Sequence, residues 1–130
     1  MKLGYTIIYV PDVAASLAFF ESAFGLRRRF LHESGCYGEL ETGETALAFA
    51  DHALGDTNFP GGHVAAHDSP KPLGFEIALV TDDVAAAHAA ALKAGATELA
   101  APADKPWGQT VSYVRCPDGI LVELCTPMAG

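Results

Sequence analysis

The sequence predicts an α+β fold of two βαβββ modules in tandem, and three observations predict it. A strand-like run followed by a capped helix occurs twice, with Asp83 and Val84 lying 71 residues after Asp12 and Val13. Each helix is followed by strand, turn and strand. The 130 residues are 50% hydrophobic and 18% charged, enough apolar material for a sizeable core and too little charge for disorder. Self-similarity at a fixed offset is the signature of a duplicated supersecondary unit.

In the first module, which covers residues 1–50, Tyr5 to Val10 is β-branched and aromatic and stops at Pro11-Asp12. The Asp12 carboxylate can accept from free amides of the following turn, so it caps a helix in which Val13, Leu17, Phe20 and Phe24 recur at helical spacing before Gly25. A short strand near Arg28–Glu33 comes next, then Gly38–Glu41 and Ala46–Phe49 about the turn Thr42-Gly43-Glu44. The run Arg27-Arg28-Arg29 directly after the helix reads as a complement to the negative end of its dipole. In the second module, residues 73–130, Glu76–Thr81 is the strand, Asp83 the cap and Val84–Ala94 the helix. Strands follow near Thr97–Ala100, over Thr110–Val114 and over Leu121–Leu124, the last two joined by Cys116-Pro117-Asp118-Gly119. In that turn Pro fixes φ and Gly admits a positive one. Residues 51–72, rich in Gly, Pro, Asp and His, are either a linker or a loop that closes over a site.

Alternation of side chains along a strand sorts the candidate site. If Thr6, Ile8 and Val10 face the helices, then Tyr5, Ile7 and Tyr9 face the other way. By the same rule Ile77 and Leu79 leave Glu76, Ala78 and Val80 on the far face, and Val122 and Leu124 leave Leu121, Glu123 and Cys125 there. The expectation is one concave surface carrying two carboxylates among tyrosines.

Net charge narrows the function classes. Eight Lys and Arg against 16 Asp and Glu give −8, which argues against nucleic acid and anionic membrane surfaces as partners. No apolar stretch is long enough for a membrane span, and the opening residues show no signal-peptide pattern, so a cytoplasmic location is expected. Cys36, Cys116 and Cys125 are odd in number and not closely spaced, so neither a disulfide framework nor a structural zinc knot is expected. His63 and His67, four apart in a Gly- and Pro-rich segment, read as surface residues, and His32, His52 and His88 have no partner in the sequence.

The residues Val10-Pro-Asp-Val13, Phe19-Phe20, Phe24-Gly25-Leu26, Thr81-Asp-Asp-Val84, Pro106-Trp-Gly-Gln109, Cys116-Pro-Asp-Gly119 and Val122-Glu-Leu124 resemble the glyoxalase/bleomycin-resistance/dioxygenase superfamily, also called vicinal oxygen chelate proteins. The resemblance covers essentially the whole chain. It implies a curved mixed sheet around a cleft with helices outside, and pairing as a homodimer, in which modules of different chains complete each cleft in several members. It also implies four metal-ligand positions, one on the first and one on the last strand of each module. Here these are Tyr5, Glu76, Glu123 and Ala48, or Leu47 if the turn shifts by one; two keep a carboxylate and none is a histidine.

Two carboxylates and a phenol fall short of the three or four ligands of a catalytic centre, so no cofactor is expected; a weakly held divalent metal on Glu76 and Glu123 is the alternative. The first functional expectation is a metal-independent small-molecule-binding protein, with antibiotic or toxin sequestration as one form of it. Glu76 and Glu123 supply anions, and Tyr5, Ile7, Tyr9, Ala48, Ala78 and Trp107 supply walls, for a cationic or aromatic ligand. Trp107 as a core residue under its turn is the competing assignment. The second expectation is a lyase, isomerase or dioxygenase-type enzyme that uses Glu76 and Glu123 as acid and base on a small carbonyl or phenolic compound. A non-catalytic oligomerisation module is the third. No Ser or Cys lies in an elbow-like turn, so nucleophilic catalysis has no support.

Overall fold

The computed structural model describes residues 1–128. The first module runs β1 (Tyr5–Val10), α1 (Val13–Phe24), β2 (Arg27–Leu31), β3 (Tyr37–Glu41) and β4 (Ala46–Asp51). The second runs β5 (Ile77–Val80), α3 (Val84–Ala94), β6 (Thr97–Asp104), β7 (Thr110–Arg115) and β8 (Leu121–Cys125). The segment between them is not structureless: it holds α2 (His52–Asn58) and a 3-10 turn at Ala66–Asp68. The α+β class and the tandem modules are as the sequence predicts.

The helices form where the caps place them. Asp12 accepts from Ala15 N and Asp83 from Ala86 N, both at 3.0 Å, and Gly25 and Gly95 end the two helices with backbone bonds to the preceding turn. The mixed sheet is two four-stranded sheets, in the order β1-β4-β3-β2 and β5-β8-β7-β6. In each, the first strand pairs parallel with the last and the other pairings are antiparallel. Ile7 pairs with Ala48 and Ala78 with Glu123, so the 71-residue offset survives as spatial equivalence and makes Ala48 the counterpart of Glu123.

Each helix covers one face of its own sheet, and α1 and α3 also pack on each other. One apolar cluster therefore spans both modules, from Val10, Leu17, Phe20 and Phe49 to Val114, Val122 and Leu124. Each such fully buried side chain contributes about 1.5–3 kcal/mol by leaving water. Neither α1 nor α3 covers the opposite sheet faces, and there Tyr5, Ile7 and Val80 stand exposed, while α2 packs on Tyr9 at the end of β1.

Two polar contacts fix how the modules meet. The Ser16 hydroxyl of α1 donates to Asp118 Oδ2 at 2.9 Å, and both residues are buried. Gly119 lies so close to the 3-10 turn that a Cβ would collide with the Ala66 backbone, and its φ of +92° is itself a glycine conformation. Arg115 clamps the same turn by donating to Ala66 O at 2.9 Å and Ser69 O at 2.7 Å.

The Arg27–Arg29 run opens β2, and only Arg28 serves the end of α1. Arg28 turns back to pair with Glu21 in the last turn of α1, whereas strand geometry sends Arg29 across the sheet to Glu39 and Glu41. The three cysteines are free, as expected.

Candidate functional site

Side-chain parity on the site strands is as the sequence predicts. On β1, Ile8 and Val10 are buried while Tyr5 and Ile7 are exposed, and on β8 Val122 and Leu124 are buried on the helix side. Ala78 and Val80 are exposed on β5, and Glu76 lies one residue before that strand begins.

Glu76 and Glu123 are brought together. Burial first, and then the charge of Glu123, hold the Glu76 carboxyl above its ordinary range. Tyr113, the register partner of Glu123 on β7, donates its hydroxyl to Glu123 Oε1 at 2.7 Å. That bond, with burial and the Glu123 charge, pushes the Tyr113 phenol up to about 12. The Cys125 thiol on the next position of this face is likewise raised, by burial and by Glu123. No cation pairs with either carboxylate among the described residues.

Tyr5, Ile7, Tyr9 and Ala48 lie on the corresponding face of the other sheet, so the two groups of candidates belong to separate sheets within the chain. Ala48 is wholly buried between its register partners Ile7 and Glu39. Trp107 is not a core residue: it is exposed on the β6–β7 turn, and its indole N–H donates to Gln109 Oε1 at 2.7 Å.

The sequence reading missed a third carboxylate. Glu39, only 7% exposed, accepts from the Tyr37 hydroxyl at 2.7 Å and from Arg29 at 3.1 Å. Arg29 also grips Glu41 in bidentate fashion, at 2.8 and 2.9 Å, and this bond chiefly holds the Glu41 carboxyl below its ordinary range. In register Glu39 opposes Ala48 as Tyr113 opposes Glu123, so the carboxylate of the first module has moved one strand over. The alternation Tyr37-x-Glu39-x-Glu41 was the available signal.

Three histidines also meet outside the sheets. His52 Nδ1 lies 2.8 Å from His63 Nε2, and the ring of His67 is 5.3 Å from that of His52. The surface assignment of His63 therefore fails: its side chain is 16% exposed and packs on Tyr9 with ring centroids 4.8 Å apart. His88, on the buried face of α3, lies between Ser112 and Glu98 at 2.9 and 2.7 Å and ties that helix to its sheet.

Tandem βαβββ modules, each an open four-stranded mixed sheet with its own helix on one face, define the fold class. Residues 2–124 match the model of the Glyoxalase/Bleomycin resistance protein/Dioxygenase superfamily, and the chain belongs to that superfamily. Among solved structures it is similar to a glyoxalase/bleomycin resistance protein/dioxygenase family enzyme from Burkholderia phytofirmans PsJN, at 21% identity and TM-score 0.79, with 97% of this chain and 98% of that one covered. It is similar also to a glyoxalase-related enzyme from Fulvimarina pelagi, at 20% identity and TM-score 0.82, with 98% and 88% covered. TioX from Micromonospora sp. ML1 aligns at 19% identity and TM-score 0.71, with 97% and 98% covered. No curated protein matches the chain. Identities this low carry the fold and leave the chemistry to the residues.

The residues present do not fit the metal centre that the superfamily implies. Its four positions are Tyr5, Ala48, Glu76 and Glu123, and one oxygen of Glu123 already accepts from Tyr113. Among the described residues no three His, Cys, Asp or Glu side chains stand as a metal shell. A catalytic divalent ion uses three protein ligands or more, with imidazole prominent among them.

Proposed function

We propose that this chain is a metal-independent small-molecule-binding member of its superfamily, and that it takes a cationic ligand with an aromatic or apolar body onto the sheet of the second module. The observation that carries this reading is the uncompensated pair Glu76 and Glu123. An ammonium or amidinium held between them takes both as partners, offsets one of the two charges and relieves their mutual repulsion. Exposed Ala78 and Val80 offer flat apolar contact beside the pair. Sequestration of a toxic cationic compound is the role this chemistry suits. The exposed sheet faces that include Tyr5, Ile7 and Val80 are covered by a second copy of the chain in a homodimer, which encloses the ligand.

A thermal-shift screen with cationic aromatic compounds, followed by titration calorimetry, tests the reading, because a ligand raises the melting temperature by mass action. Glu76→Gln and Glu123→Gln are each expected to weaken a hit by about tenfold, the worth of one charge-assisted hydrogen bond. A hit that survives the double substitution unchanged overturns the acidic-site reading, and stoichiometric divalent metal in protein purified without chelator overturns metal independence.

The raised carboxyl of Glu76 favours one second reading, proton transfer to or from a small carbonyl or phenolic substrate. It predicts a rate that disappears in Glu76→Gln while ligand affinity persists.

A further inference from the structure

Residues 51–68 form a strap across one end of the first module, and its packing is unusually close. A Cβ on Gly55 would come within 2.9 Å of the Tyr9 ring and 3.2 Å of His63. Tyr9, His63 and His52 then stack in sequence, with centroids 4.8 and 5.1 Å apart, and His67 lies against His52. Beside the stack is a cavity of about 190 Å³ lined by Ile7, Tyr9, His63, Leu73 and Phe75 among others. Imidazoles therefore hold the part of the strap that lies over Tyr9, while Arg115 holds its 3-10 turn.

The contact at its centre works for only some protonation states. A 2.8 Å approach of two ring nitrogens requires one N–H and one lone pair. One positive charge on the pair is compatible with that bond, and two are not, since both nitrogens would then carry protons. The surroundings separate the three rings. Asp56 on α2 lies 3.6 Å from His63 Nδ1, and Asp68 on the 3-10 turn lies 3.2 Å from His67 Nε2, so each outer ring has a carboxylate beside it. Asp51 is occupied in capping α2 through Leu54 N. From the β7–β8 turn, Asp118 feels the charge of His67. Tyr9 and Phe59 present only rings to His63. His52, in the middle, has no carboxylate partner among the described residues, and its Nε2 is buried without a hydrogen bond, as is His63 Nδ1.

We propose that the His52–His63–His67 stack is a pH-sensitive latch: with at most one positive charge on the His52–His63 pair it clamps the strap onto Tyr9, and a second positive charge releases that part of the strap and opens the cavity beside Ile7 and Tyr9. Burial, then His63 and then His67, hold the His52 imidazole below its ordinary value. A histidine depressed in the folded state binds its proton less readily there than in the open state. The clamp is thus at full strength above the usual imidazole range near 6.5 and weakens as pH falls below it. The latch lies in the segment between the modules, against Tyr9 of the first, and is independent of the Glu76–Glu123 site.

The experiment is an NMR titration of the full chain from about pH 8 to about pH 5, reading the imidazole signals, the Tyr9 ring and amide exchange over residues 52–68. Expected are linked titrations of the three rings, a Tyr9 shift with the same midpoint, and strap exchange at least about tenfold faster at the acidic end than intrinsic chemistry explains. In His63→Gln, an amide keeps the contact to His52 without a second titrating ring, so the Tyr9 shift is expected to vanish. Three independent titrations near the ordinary value, with Tyr9 and strap exchange unchanged, overturn the latch; so does a full response in His63→Gln. If that variant does not fold, the wild-type titration decides alone.

Discussion

In the first module Glu39 is buried under the guanidinium of Arg29 and accepts from Tyr37, whereas in the second Glu123 has the Tyr113 hydroxyl and faces a second carboxylate, Glu76. The two sheets share strand order and register, so the backbone does not account for this difference. Arginine on β2 decides it. A carboxylate paired by a fixed cation and a phenol is a structural element of its sheet. Two carboxylates without a cation are a charge waiting for a counter-charge, and that is why the binding proposal rests on the second module. The turns differ in the same manner: Asp118 of the second module is buried under α1, while Glu44 of the first stands exposed.

The strongest way to break this comparison is to give the first module the carboxylate of the second. Ala48→Glu introduces a charge at a wholly buried position beside Glu39, and we expect a loss of about 3–5 kcal/mol in urea unfolding. The reciprocal Glu123→Ala, at a partly exposed position, is expected to cost about 1 kcal/mol or less. Comparable losses at both sites would mean that the modules treat charge alike.

Next in size is Ser16→Ala, which strips the Asp118 carboxylate of its side-chain donor and leaves Ile120 N at 3.2 Å. The expected cost is about 1–3 kcal/mol at neutral pH. Burial holds the Asp118 carboxyl above its ordinary range, so the stability tied to its protonation is present at low pH and lost as pH rises through that raised value. The Ser16→Ala penalty should therefore shrink on acidification, which chemical denaturation at two pH values checks.

The smallest effect is read on Glu76 itself. Its side-chain carbon signal should titrate above the ordinary 4.5, and Glu123→Gln should bring the midpoint partway back, burial being the larger cause. A cationic ligand should bind more tightly as pH rises through that range. A midpoint unmoved by Glu123→Gln would separate the two carboxylates and weaken the proposed site.

Much of the fold was legible because its signals are local. The caps Asp12 and Asp83, the closing Gly25 and Gly95 and the Pro-Asp-Gly turn each act within a few residues, and strand parity follows from alternation alone. The site was legible only in half. Glu76 and Glu123 could be paired through strand alternation and the positions that the family resemblance implies, yet their separation from Tyr5 and Tyr9 depends on how α1 and α3 pack. Arg29 was read against the helix it follows, because no local rule says that β2 carries it across to Glu39 and Glu41. His52 and His63 are eleven residues apart in a segment without periodicity, so only the folded strap brings their rings together.

By itself, the sequence determined the two modules, their caps and turns, which side chains share a strand face, and the family to which the chain belongs. The tertiary structure decided which charges are neutralised and which are left over. Cross-strand and loop-to-sheet contacts depend on register and on the meeting of distant elements, and the energy of a carboxylate depends on the partner that arrives there. The overall charge of −8 therefore resolves into Glu39 and Glu41 paired by Arg29, Asp118 buried beneath α1, and Glu76 with Glu123 left without a cation among the described residues.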